Sequence, residues 1–243
     1  MDSGYYAASA GLAAQMQALE LVANNLANVN TAGYRGQRAT FRSLLAGHNL
    51  LWNPVNSAIN NYGILGGGAT DLDSGSLTAT GNPLDLAVAG KGFFVIQSSS
   101  GTLYTRDGGF HRTQDGRLVT AAGDPVLGEQ GPIQLPNGVV AVAADGTISV
   151  DGAVAGRVRI AEFAPTTELT ASGKALYAAP PGSELPAASS SIRQAMIEQS
   201  NVSAVEGVVQ LITVQRNAEM MQRALSLFDS QMNQTAVQDL PHV

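Results

Sequence analysis

The chain has 243 residues, 44% of them apolar, which is enough to bury a sizeable core in one or two domains. Cysteine is absent, which excludes a disulfide framework, a thiolate metal site and a cysteine nucleophile. The formal net charge is −6 and only Lys91 and Lys174 are lysines, which argues against a phosphate-tracking surface and so against nucleic acid as a partner.

No basic residue precedes Arg35, so the N-terminus lacks the positive n-region of a cleaved secretory signal and the scattered arginines of a transit peptide. Gln15, Gln17, Glu20 and a group of asparagines interrupt the one apolar stretch of useful length, and no membrane insertion is expected. Steps of three and four from Tyr5 give Ser9, Leu12, Met16, Leu19, Ala23 and Leu26, which predicts a long helix with a narrow apolar stripe. Asn24, Asn25, Asn28, Asn30 and Gly33 then mark its end, because Asn and Gly tolerate the left-handed conformation. An elaborate C-cap is the plain reading, yet one glycine would suffice for that. If the next stretch is helical, Arg35, Arg38 and Arg42 share a face: a solvated one, or a contact for acidic surfaces of neighbouring copies.

From Gly47 to Gly81 the chain is rich in Asn, Gly, Ser and Thr and reads as an extended connection. From Leu84 the texture changes to short β-type runs: Phe93 to Gln97, Leu103 to Arg106, Leu118 to Thr120, Val139 to Val142, Thr147 to Val150 and Val158 to Phe163. Asp-Gly or Asn-Gly pairs beginning at Asp107, Asp115, Asn137, Asp145 and Asp151 separate them, predicting an antiparallel sandwich or barrel. Around Pro180, Pro181 and Gly182 and through Ala187 to Ser191 the pattern dissolves into a linker. Last comes a seam of Ala204, Gly207, Leu211, Val214, Ala218, Met221, Leu225, Phe228 and Met232 with neither proline nor charge. So thin a stripe buries little against a globular core; it calls for a partner helix, and the other terminus is the nearest candidate.

The expected fold class is therefore α+β: a discontinuous helical coiled-coil region from the two termini with an inserted all-β, antiparallel sandwich or barrel-like domain. The expected divisions are 1–46 for the N-terminal helix and Asn-rich motif, 47–81 for the connection, 82–179 for the β domain, 180–198 for the linker and 199–243 for the C-terminal helix. Catalytic groups are scarce. His48, His111 and His242 have no metal-ligand spacing, and Gly90-Lys91-Gly92 leads into Phe93-Phe94 instead of a helix. Asp71, Asp73 and Asp85 lack the spacing of a calcium loop and serve turns. No catalytic, cofactor-binding or metal residue is assigned, and no cofactor.

The run Asn24 to Arg35 resembles the Asn-rich motif near the N-terminus of bacterial flagellar rod and hook proteins. Gly75-Ser76-Leu77, Thr80 to Asp85 and Gly90-Lys91-Gly92-Phe93-Phe94 resemble the motif that opens their β domain, and Tyr104 to Gly108 and Gly116 to Thr120 the strands that follow. Ser200-Asn201-Val202, Val205-Glu206 and Gln215-Arg216 resemble their C-terminal helix. The likeness spans nearly the whole chain in order. Within the family, length and ending look most like the proximal-rod members, then the distal-rod members, and less like hook protein. Ala218 stands where the family often has an aromatic residue and Gly207 where it often has an acidic one.

The resemblance implies a structural subunit of the bacterial flagellar basal-body rod, with no enzymatic activity, exported by the flagellar type III export apparatus without a cleaved signal. It implies assembly with other flagellar rod subunits, the same chain and neighbouring axial proteins, in a hollow periplasmic tube that transmits torque. The assembly-interface residues in this reading are Leu12, Met16, Leu19, Leu26, Asn24, Asn25, Asn28, Asn30, Gly33, Leu211, Val214, Met221, Leu225 and Phe228. The terminal helices are expected to order when packed against neighbours, leaving their stripes wet in the monomer. The rival of another class is a ligand-binding or adhesin-like β module on a helical stalk; a hydrolase using His111 ranks third.

Overall fold

The computed structural model describes residues 2–42, 64–173 and 175–239. Two helices, α1 (Asp2–Ala27) and α2 (Ala204–Asp239), enclose a sheet-rich region in sequence. The chain divides into two compact units. One gathers Met1–Leu26, Gln37–Ala69 and Ser203–Val243; the other gathers Ala27–Gly36 and Thr70–Val202.

In the helical unit, α1 follows from its alanine, leucine, methionine and glutamine content, all strong helix formers. α2 begins where Ser203 accepts from the Glu206 amide at 3.4 Å through its hydroxyl and from the Gly207 amide at 2.9 Å through its carbonyl. Ser-x-x-Glu is a capping-box spacing, a signal for this start that stood in the sequence. Along α2 the covered positions are Gly207, Leu211, Val214, Asn217, Ala218, Met221, Ala224 and Leu225, with Val205, Val208, Val209, Ile212, Met220 and Leu227 exposed. Of the predicted seam, Gly207, Leu211, Val214, Ala218, Met221 and Leu225 are covered and Ala204 is exposed, while the side chains of Phe228 and Met232 lie outside the described residues; Ala218, at 7% exposure, departs from the wet stripe expected in the single chain. On α1 the half-buried positions come in adjacent pairs, Ala8 and Ser9, Gly11 and Leu12, Ala14 and Gln15, Ala18 and Leu19, Leu21 and Val22, Asn25 and Leu26; Ser9, Leu12, Leu19 and Leu26 of the predicted stripe lie on this face, and Met16 and Ala23 fall outside it. The covered face is therefore broader than the stripe and mixes apolar with polar side chains such as Ser9, Gln15 and Asn25.

A Cβ built on Gly11 would sit 3.7 Å from the Met221 thioether, and one on Gly207 would sit 3.5 Å from Leu26 Cδ1. These two contacts run the helices antiparallel and leave ordinary van der Waals room at both glycines. Gly207→Ala is accordingly expected to stabilise the helical unit by about 0.5–1 kcal/mol, the helix-propensity gain, readable as a raised melting temperature of the helical signal. A destabilised variant would show that the two helices approach more closely than this.

The stretch considered for an arginine-faced helix is instead a strand, Gln37–Arg42, paired with Ile64–Thr70. Arg35 lies before it and is 1% exposed, which corrects the shared solvated face: Arg35 has acidic and carbonyl partners inside the protein. Within the expected connection 47–81, Ile64–Thr70 and Leu77–Ala79 are strands; the residues from 43 to 63 lie outside those described.

The β unit is built on a six-stranded antiparallel sheet ordered Thr170–Ala171, Leu176–Ala178, Gly101–Thr105, Phe93–Ser98, Ile160–Phe163 and Glu184–Pro186. Successive side chains of Phe93–Ser98 alternate between two cores: Phe94 and Ile96 join Leu86, Leu118, Val126 and Ile148, whereas Phe93 and Val95 join Tyr104, Ala161 and Tyr177. A three-stranded sheet of Val140–Val142, Thr147–Val150 and Ala153–Arg157 adds to it. Its second hairpin turns at Asp151 and Gly152, both at positive φ, as an Asp-Gly pair permits. The expected linker 180–198 is structured: Glu184–Pro186 joins the main sheet, Ser191–Gln194 pairs with Leu86–Ala89, and Met196–Glu198 pairs with Leu77–Ala79. Its proline, glycine and serine mark turns between short strands, a pattern that composition does not separate from a linker.

Candidate functional site

The expected interface residues fall into two groups. Leu12, Leu19, Leu26, Leu211, Val214, Met221 and Leu225 are half-buried along the two helices, and Met16 is exposed at 47%. The Phe228 side chain lies outside the described residues. The asparagines divide by role. Asn25 clasps the Gln37 backbone in both directions, donating to its carbonyl and accepting from its amide at 2.8 Å each, while Asn28 accepts from Thr31 through both backbone and side chain. Asn24 and Asn30 are exposed.

Gly33 opens a densely bonded part of the β unit. Its φ is +65°, and a Cβ there would lie 2.2 Å from the Arg106 carbonyl carbon and the Asp107 nitrogen, so only glycine lets the chain lie this close. The Gly33 amide donates to the Glu198 carbonyl at 2.8 Å, the Arg35 amide to the Tyr177 hydroxyl at 2.9 Å, and the Gly36 amide to Asn201 Oδ1 at 2.7 Å. Asn201 in turn donates through its backbone to the Tyr34 carbonyl and through its side chain to the carbonyls of Asp71 and Asp73. Three crossings of the unit, 33–36, 71–76 and 198–201, are thereby tied into one knot of backbone and amide bonds.

At its centre are three buried charges. The Glu198 carboxylate takes Arg35 Nη2 at 2.7 Å on Oε1 and Arg106 Nη1 at 3.0 Å on Oε2, and all three side chains are 1% exposed. Oε1 also accepts from the Gly75 amide at 2.9 Å. Arg35 Nη1 donates to the Asp73 carbonyl; Arg106 donates to the carbonyls of Val88 and Gly90 and lies 4.9 Å from the Phe93 ring centroid. Burial lowers the Arg106 guanidinium to about 10, with Glu198 opposing the fall and Arg35 adding to it, so it is charged at neutral pH. Sequence reasoning missed Glu198 and Arg106. Their signals were the Arg106-Asp107-Gly108 turn and a lone glutamate in an otherwise apolar Met-Ile-Glu run.

Burial also pushes the Tyr177 phenol up to about 12, against the Arg35 amide that donates to it. A raised folded value means that this contribution is complete below the unfolded pKa near 10 and is lost as pH climbs from there through 12. Between those values the protein should lose about 2–3 kcal/mol more than Tyr177→Phe does, read as the difference in urea-unfolding free energy across the alkaline range. Parallel curves for the two proteins would show that the phenol ionises freely in the folded state.

Elsewhere an open groove of about 600 Å³ runs past Arg157, Arg159 and Ser190. Its arginines are already matched: Arg157 to Glu129 at 3.3 Å and Asp145 at 3.5 Å, Arg159 to Glu184. Among the described residues, no group of three or more His, Asp or Glu could hold a metal ion, and no helix is long and apolar enough to cross a membrane.

Two family models match the chain: "Flagella basal body rod protein" at residues 6–35 and "Flagellar hook protein FlgE/F/G D1 domain" at 87–155. The first covers most of α1 and the run to Arg35, the second much of the β core. The flagellar basal-body rod protein FlgG of Agrobacterium fabrum is 34% identical, over 91% of this chain and 94% of its own length. Two proteins named FlgF are 33% identical: that of Mesorhizobium japonicum over 90% of this chain and 89% of its own, and that of Caulobacter vibrioides over 99% and 98%. With likeness at this level running through both terminal helices and the β unit between them, this chain belongs to the flagellar basal-body rod protein family.

Proposed function

We propose that this protein is a structural subunit of the flagellar basal-body rod and not an enzyme. The observation that carries the reading is the likeness to rod proteins over nine-tenths or more of the chain, terminal helices included. In it, α1 and α2 pair as a coiled coil and pack with the same helices of identical or similar subunits into the wall of a hollow periplasmic tube. The sheets close as a sandwich or barrel-like body, and the tube carries torque from motor to hook. The subunit reaches the periplasm through the flagellar type III export apparatus with its N-terminus intact. The FlgF type of proximal-rod subunit is favoured by the 99% and 98% mutual coverage with the Caulobacter protein; the FlgG type of distal-rod subunit is the second reading, from the 34% identity of the Agrobacterium protein.

The test is gene deletion with complementation, together with tag labelling of isolated basal bodies. Deletion should halt assembly at the rod and abolish swimming, the complementing chain should restore both, and label should sit on the rod, proximal or distal. Mass spectrometry of the assembled subunit should return an N-terminus trimmed by no more than the initiator methionine. Complete, rotating flagella in the deletion strain would overturn the reading.

A further inference from the structure

The Arg35–Glu198–Arg106 cluster lies where the chain comes in from one helix and goes out to the other: Arg35 follows the end of α1 at Ala27, and Glu198 precedes the start of α2 at Ala204. Two cations against one carboxylate leave an excess positive charge at sites 1% exposed, a poor arrangement for stability alone. Apolar side chains of similar volume would serve a core as well or better, because burial strips water from each charge. What the charges add is geometric: the carboxylate is satisfied only when 33–36, 73–75, 106 and 196–198 all arrive together. Arg106 is independently fixed by Val88, Gly90 and the Phe93 ring, and Glu198 by its strand pairing with Leu77–Ala79. Arg35 is the member on the segment without strand pairing, held by Glu198 Oε1 and the Asp73 carbonyl through its side chain.

We propose that Arg35 is a positioning residue for assembly: through Glu198 it locks the segment that follows α1 in the chain onto the segment that precedes α2. The inference rests on the rod-subunit reading for its consequence, but not for its geometry. Removing Arg35 leaves Arg106 and Glu198 as a neutral pair, so the β core is spared while the lock is lost.

The test compares Arg35→Met and Arg35→Lys in the full chain. For Arg35→Met, melting of the β unit should stay within about 3 °C of the unaltered protein. Hydrogen exchange at the Gly33, Arg35 and Gly36 amides should quicken by about tenfold or more. Swimming should be lost, and Arg35→Lys, which keeps a cation on Glu198, should restore it. Unchanged exchange at these amides, normal swimming of Arg35→Met, or a fall in β-unit melting in step with lost motility would each overturn the proposal. If the unaltered chain proves absent from rods, the exchange and melting results still decide the lock, and the rod reading alone has failed.

Discussion

Glu198→Gln is expected to lower the stability of the β unit by about 3–5 kcal/mol, a large part of what a domain of this kind has to lose. The carboxylate faces two buried guanidinium groups at 2.7 and 3.0 Å, and glutamine removes the counter-charge it gives both cations. Its amide would also present a donor where the Gly75 amide needs an acceptor if it turned the wrong way. The control is Glu129→Gln at the ion pair with Arg157, whose side chains are 45% and 60% exposed; there the change should stay within about 0.5 kcal/mol, because solvent screens the pair. Urea denaturation of both variants decides it. A loss below about 1 kcal/mol for Glu198→Gln would mean that the cluster is not held by charge.

Ala218→Asp should have the second large effect. Ala218 is the most buried side chain on the described part of α2, in the middle of the seam whose ends meet α1 at Gly11 and Leu26. A carboxylate there is either buried unpaired or forces the helices apart, at a cost of about 3 kcal/mol or more. The helical signal of the purified chain should melt early while the β transition stays in place, and cells carrying the variant should not swim. Leu225→Met, close in volume at a half-buried site, should cost under about 1.5 kcal/mol and leave swimming intact. If Ala218→Asp left the isolated chain unchanged but stopped swimming, the seam would be an interface between subunits and not within one.

Much of this was legible in the sequence, for reasons of period. Strands such as Phe93–Ser98 and Thr147–Val150 could be placed within a residue or two because alternation and Asp-Gly turns are local properties. The α2 seam could be read in large part because its apolar positions recur over many turns; Gly33, read as part of a helix end, instead stands six residues beyond the end of α1 and packs against Arg106 and Asp107. The face of α1 could be read only in part: Leu12, Leu19 and Leu26 lie on it, but Met16 and Ala23 do not, since an alanine-rich helix has no single apolar stripe and its partner chooses the side. The strands of 184–198 could not be read, since their hydrogen-bond partners lie far back in the chain at Leu77–Ala79 and Leu86–Ala89. Arg35 beside Arg38 and Arg42 looked like a solvated charge, and Glu198 fell at the end of the expected linker. A charge declares itself buried only through the partner that permits burial, and here those partners stand at 35, 106 and 198, so their meeting was decided by the tertiary structure alone.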